Sequence, residues 1–184
     1  MILYQTVEDR NNPDDIERES PYLCNAYNAW LGEGYYLWDT LINNAHWWGR
    51  SHYNKNNYVI VEFICDDINN SKCFDLHGNM EHLQLFKRCM EFFKEESLLS
   101  DKDTVSKVIS YLKSKTDFLD RYEAIRAYGH YSKSKPQFVS FEKNKKYALE
   151  LEPAVQLCLF KKSSLNLSKG KIVYPLNYTS DYII

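Results

Sequence analysis

Three of the four tryptophans and two adjacent tyrosines fall within residues 32–49, GEGYYLWDTLINNAHWWG. Tyrosine and tryptophan rings join an apolar body to a polar tip, so a dense run of them serves either a packed core or a half-wet cleft. Tyr35, Tyr36 and Trp38 on one short strand are the rings that either use would employ, while Trp47 and Trp48 read as core anchors of the following helix. The other chemistry-bearing residues are spaced less tellingly. His46 and His52 stand six apart beside Asp39, and His77 and His82 five apart. Neither pair has the i, i+4 spacing that sets two imidazoles on one helical face, so no metal site is expected. Five cysteines, Cys24, Cys65, Cys73, Cys89 and Cys158, make an odd number with no C-x-x-C pair, as expected of free thiols in a reducing compartment. Cys65 and Cys158 lie in apolar runs and read as small core residues, while Cys24 has no nucleophile signature around it. Gly32 and Gly34 form a G-x-G without the third glycine or the helix start of a dinucleotide phosphate loop. Lys133, Lys135, Lys143, Lys145 and Lys146 interleave with Tyr131, Phe138, Phe141 and Tyr147. That pattern reads as a solvated loop and strand face, with a nucleic-acid surface as the alternative.

The chain that must position these residues has 184 of them and a formal charge of −2, from 23 basic and 25 acidic side chains. One domain over residues 1–184 is long enough to bury a core without disulfides or metals. The near-neutral balance argues against a nucleic-acid binder by net charge. No stretch approaches the eighteen or so apolar residues of a membrane span, and MILYQTVED is not a signal-peptide opening, so a cytoplasmic protein is expected. Aromatic residues make up 15%, fifteen of them tyrosine, which suits a partly wet cleft or a partner surface as well as a core.

Residues 2–4 predict a first strand, and residues 8–19 a polar connector. SPYLCNAYNAWLG predicts a short helix with Ser20 as N-cap, Pro21 at the first helical position and Gly32 as its stop. Residues 34–38 predict a strand, and Leu41, Ile42, Ala45 and Trp48 recur at helical spacing behind Asp39 or Thr40 as cap, leaving His46 exposed. YVIVEFIC, residues 58–65, is the clearest strand, followed by a short one at 73–76. Met80, Leu83, Phe86, Met90 and Phe93 trace a helical stripe, and a second helix carries Val105, Val108, Ile109 and Leu112 behind Asp103. Strands are expected at 122–128, 137–141 and 154–160, with a loop at 129–136 and a last strand over KIVYPLNY that Pro175 assigns to an edge. The order is that of an α+β domain, not of regular βαβ alternation.

With these elements in place, GYYLWDTLINNAHWW resembles a segment of ADP-ribosyltransferase-like domains, a glycine–aromatic–tyrosine–aliphatic strand followed by a helix with an alanine and an aromatic residue. LYQT, residues 3–6, stands where those domains have a first strand ending in His-Gly-Thr or Arg-Gly. CFDLHGN, YEAIRAY and PAVQLCLF follow in order and are similar to later blocks of a small bacterial branch of that superfamily. The resemblance implies split, strongly curved antiparallel sheets with helices, and a cleft for NAD+ between two small sheets. It implies transfer of ADP-ribose to a macromolecular acceptor, protein or nucleic acid, by a bacterial toxin or defence effector. Tyr36, with Tyr35 as the competing choice, would stack on the nicotinamide. Gln5 and Thr6 would border that ring or its ribose, and Gly34 and Trp38 would complete the shelf. Gln156 would occupy the place of the catalytic glutamate, with Glu150 or Glu152 just before the strand as substitute carboxylates.

Gln5 and Gln156 depart from the pattern: Gln5 stands where the basic or imidazole residue belongs, and the Gln156 amide cannot set a negative charge beside the cation that develops as nicotinamide leaves. A catalytically inactive nucleotide- or protein-binding module of the same fold is therefore the alternative. An interaction module of unrelated α+β fold would be indicated if residues 34–38 were fully buried with no cleft beside them.

Overall fold

The computed structural model describes residues 1–53, 57–66, 68, 72–129, 138–143 and 147–179. In chain order these form β1 (Ile2–Glu8), α1 (Pro13–Glu19), β2 (Tyr35–Asp39), α2 (Ile42–His52), β3 (Tyr58–Ile64), β4 (Cys73–Asp75) and α3 (Met80–Glu95). There follow α4 (Val105–Lys115), α5 (Phe118–Arg121), β5 (Ala124–Tyr128), β6 (Phe138–Ser140), β7 (Ala148–Glu150), β8 (Val155–Leu159) and β9 (Lys171–Tyr174). The class is α+β, and no described helix is long and apolar enough to cross a membrane.

Seven strands hydrogen-bond into one mixed sheet, in the order β4-β5-β8-β2-β1-β3-β9, while β6 and β7 pair as a separate hairpin. β4 runs parallel to β5, and the other pairs are antiparallel. Where the resemblance implies split antiparallel sheets, these strands form one mixed sheet with a parallel pair at one end. The sheet is narrowest between β1 and β2. β1 pairs with β3 along its whole length, from Ile2↔Ile64 to Glu8↔Tyr58, but with β2 only at Leu3↔Asp39 and Tyr4↔Trp38. Beyond Tyr4 the sheet forks, and Gln5–Glu8 on one prong and Tyr35–Leu37 on the other have separated.

Strand side chains alternate between faces, which divides the core. Leu3, Leu37, Val59, Val61, Phe63, Leu157 and Leu159 form a continuous layer on one face together with Ile16 of α1. On the opposite face Phe74, Ile125 and Cys158 meet Phe86, Phe93, Ile109 and Phe118 from α3, α4 and α5. Tyr4, Trp38, Tyr58 and Ile60 of the same face meet Ala45 of α2. This second face thus carries two separate packed clusters, one on each side of the fork. Gly49 lets α2 sit close on β3, since a Cβ there would fall 2.4 Å from the Tyr58 ring.

Four local expectations change. The predicted helix over residues 20–32 is absent and α1 lies earlier, inside the expected connector. The backbone of 22–34 finds partners across the chain instead: Gln5 takes both polar groups of Tyr22, and Cys24 and Gly34 exchange N–H···O bonds of 2.9 and 3.1 Å. Leu41, not Asp39 or Thr40, stands at the N-cap of α2 and makes no side-chain cap bond, and Thr104, not Asp103, caps α4 by accepting from the Lys107 N–H. His46 is half-buried, its Nδ1 3.0 Å from the Tyr58 hydroxyl. The loop over 129–136, all but its first residue, and Lys133, Lys135, Lys145 and Lys146 lie outside the described residues.

Candidate functional site

A cavity of about 850 Å³ opens at the fork, between the two clusters of the second face. β1 supplies Gln5, Thr6 and Val7, β2 supplies Tyr36 and Trp38, β8 supplies Gln156, and α2 supplies Trp47, Trp48 and His52. The segment between α1 and β2 roofs it with Tyr22, Cys24, Ala29 and Trp30. All four tryptophans of the chain line this one cavity. Such a volume and an aromatic lining are those of a small-molecule site, in which rings stack on planar ligands.

Alternation along β2 decides between the two tyrosines. Tyr36 shares a face with Trp38 and lines the cavity, whereas Tyr35 packs into the core layer on the opposite side. The Tyr36 hydroxyl accepts from the Leu31 N–H and donates to the Gly32 carbonyl, each at 2.8 Å. Burial pushes its phenol well above the ordinary range, so the group stays neutral and its ring is fixed edge and face. Trp38, 5% exposed, stands with its ring centroid 6.0 Å from those of Trp47 and Trp48. His52 stacks on Trp48 at 3.4 Å.

The two glutamines take different parts. Gln5 Oε1 accepts from the Tyr22 N–H at 2.7 Å, while Nε2 donates to the Tyr22 carbonyl at 3.0 Å and towards the Tyr36 carbonyl at 3.5 Å. Its amide imitates a strand neighbour where β1 and β2 have parted, and its two bonds to Tyr22 hold the roof. Gln156 is different. Its Oε1 accepts from the Trp30 indole N–H at 2.9 Å, and since an indole can only donate, that bond fixes the amide orientation. The Nε2 has no partner among the described residues and borders the cavity. Thr6 also lines the cavity, but its hydroxyl donates to the Ala45 carbonyl at 2.8 Å and so anchors α2.

Gly34 and Glu152 do not line the cavity. Gly34 lies between Cys24 and Cys158, and a Cβ there would come within 2.4 Å of the Cys158 sulfur and 2.6 Å of the Leu159 carbonyl oxygen. It allows close strand approach and makes no shelf. Glu152 accepts from Asn43 Nδ2 at 2.7 Å beside the start of α2, and Glu150 from the Tyr128 hydroxyl, so neither offers a carboxylate to the lining. Burial pushes the Cys158 thiol up to about 12, which leaves it an inert core group. Trp30, Trp47, Trp48, Tyr22 and Tyr53 were not expected at the site. Their signal in the sequence was the crowding of all four tryptophans into residues 30–48, obscured for Trp30 by the helical reading of 20–32.

Among the described residues no group of three or more His, Cys, Asp or Glu could hold a metal ion. A second polar cavity of about 340 Å³, beside Asp75, Asn79 and His82, is separate from the aromatic one. Asp75 there is engaged by Arg126 at 3.1 Å and by the His77 and Gly78 N–H groups at 2.9 Å.

No known protein family and no solved structure matches the chain. It is 27% identical over 178 residues to the uncharacterized protein MJ0359 of Methanocaldococcus jannaschii, covering 86% of this chain and 81% of that one.

Proposed function

We propose that the protein binds NAD+ or a related nucleotide in the forked cleft, as a member of the ADP-ribosyltransferase-like superfamily. One observation carries the reading: Gln5, Tyr36 and Gln156, taken from three distant blocks of sequence, converge on a single cavity that also holds every tryptophan. The narrow junction between the sheet halves, with the cavity at the fork, is what a split-sheet nucleotide cleft requires. Tyr36 offers a fixed ring for stacking, Trp38, Trp47 and Trp48 the apolar wall behind it, and Gln156 a hydrogen-bond donor.

As an ADP-ribosyltransferase the protein would break the bond between C1′ and nicotinamide, nicotinamide taking the bond electrons, and pass the ADP-ribosyl group to a nucleophile of a protein or nucleic acid. The second reading, a binding module of the same fold without transfer, is favoured by the lining: it contains no Asp or Glu among the described residues, and Gln156 brings an amide where a charge would help. A role as toxin or defence effector follows from the resemblance alone.

Titrating NAD+ while following tryptophan fluorescence and free nicotinamide tests both. Saturable quenching with nicotinamide release supports transferase chemistry, and quenching without release supports the binding module. No quenching at millimolar NAD+ contradicts nucleotide binding.

A further inference from the structure

We infer that the cleft recognises a nucleoside, enclosing a planar ring with its sugar and leaving phosphate groups outside. This rests on the nucleotide reading above and narrows it.

The first support is charge. No Asp, Glu, Lys or Arg lines the cavity among the described residues. Enclosing a phosphate requires cationic partners or converging backbone N–H groups, because an ionised group taken from water without them is strongly disfavoured. The lining residues of α2 are Trp47, Trp48 and His52, so no residue of its first turn, where a helix N-terminus attracts anions, borders the site. Among the described residues His52 is the one basic side chain there, and its ring lies flat on Trp48.

The second support is the inventory of polar groups. The Gln5 amide bonds the Tyr22 backbone, the Thr6 hydroxyl donates to Ala45, and the Tyr36 hydroxyl both accepts and donates within the protein. Gln156 Nε2, fixed as a donor by Trp30, lines the cavity together with the uncharged side chains of Asn25, Asn28 and Tyr53. Four indoles with a few neutral amide and hydroxyl groups suit a flat ring and its sugar. None of these groups carries a charge to pair with a phosphate.

The test uses the full chain and tryptophan fluorescence, with nicotinamide riboside against nicotinamide mononucleotide, adenosine against AMP, and NAD+ at about 50 and about 500 mM salt, across which charge interactions are progressively screened. The expected result is a Kd ratio under about threefold within the pair that binds, and a comparably small effect of salt on NAD+, as befits a lining without charge partners among the described residues. A phosphate-bearing member binding at least about tenfold tighter than its nucleoside, or NAD+ weakening about tenfold in high salt, overturns the inference. NAD+ binding with neither nucleoside binding overturns it too while leaving the nucleotide reading intact. Failure of all five ligands removes both.

Discussion

Gln156 is the residue on which the chemistry of the site turns. Trp30 holds its carbonyl oxygen at 2.9 Å and leaves its NH2 towards the cavity, so the side chain gives where a transferase glutamate would accept. A glutamate at this position keeps one oxygen for the indole N–H and turns a negative oxygen to the cleft. Gln156→Glu is therefore expected to raise nicotinamide release from NAD+ by about tenfold or more, about 1.4 kcal/mol of transition-state stabilisation. Release that stays at the parent level while NAD+ still binds would contradict this. Gln5 is the counterexample at the same scale. A motif position by sequence, it has become a fastener for the roof, which no spacing rule reveals because its partner, Tyr22, is a backbone.

At the scale of elements, the fork is held open from one side and clamped from the other. The roof segment is fixed by Gln5 at Tyr22, by Tyr36 at Leu31 and Gly32, by Gln156 at Trp30 and by the Ser106 hydroxyl donating to the Ala29 carbonyl at 3.1 Å. On the opposite face Arg126 of β5 reaches past β8 to Asp39 of β2 at 2.7 Å and joins it to Asp75 of β4 at 3.1 Å. These side chains are 6 to 16% exposed, so removing the cation strands two shielded carboxylates. Arg126→Met is expected to cost about 3–5 kcal/mol in urea unfolding, and a loss below about 1 kcal/mol would show that the clamp is not needed. Strand and helix identity at this scale was largely legible, because β3, β8, α3 and α4 declare themselves by apolar period. The segment 20–34 was not, since its helix signals, Ser20, Pro21 and Gly32, are local, while what fixes it is cross-chain hydrogen bonding to residues far away in sequence. The ion-pair clamp was equally hidden, as three charged residues spread over 88 positions carry no mutual signal.

For the whole molecule, acid should weaken the fold through partly desolvated histidines held as neutral rings. His82 Nδ1 accepts the Asp75 N–H at 3.0 Å, which a protonated ring cannot do. Burial lowers the affinity of His82, His77 and His46 for a proton. With the folded pKa below the unfolded value of about 6.5, their contribution is complete above that pH and is lost as pH falls through the folded value. Thermal unfolding should therefore begin earlier at about pH 5 than at about pH 7.5, and His82→Gln, which keeps an acceptor without a titration, should flatten the difference. An unchanged slope in that variant would assign the acid sensitivity elsewhere. The domain as a whole thus presents one chemically distinctive feature, a tryptophan-walled cleft at the parting of its sheet. With the four indoles replaced by 5-fluorotryptophan, the fluorine spectrum reports on that cleft and on nothing else, because no tryptophan lies outside it. Added NAD+ is expected to move all four resonances along one saturable curve, whereas four unmoved resonances at millimolar NAD+ would contradict nucleotide binding at the fork.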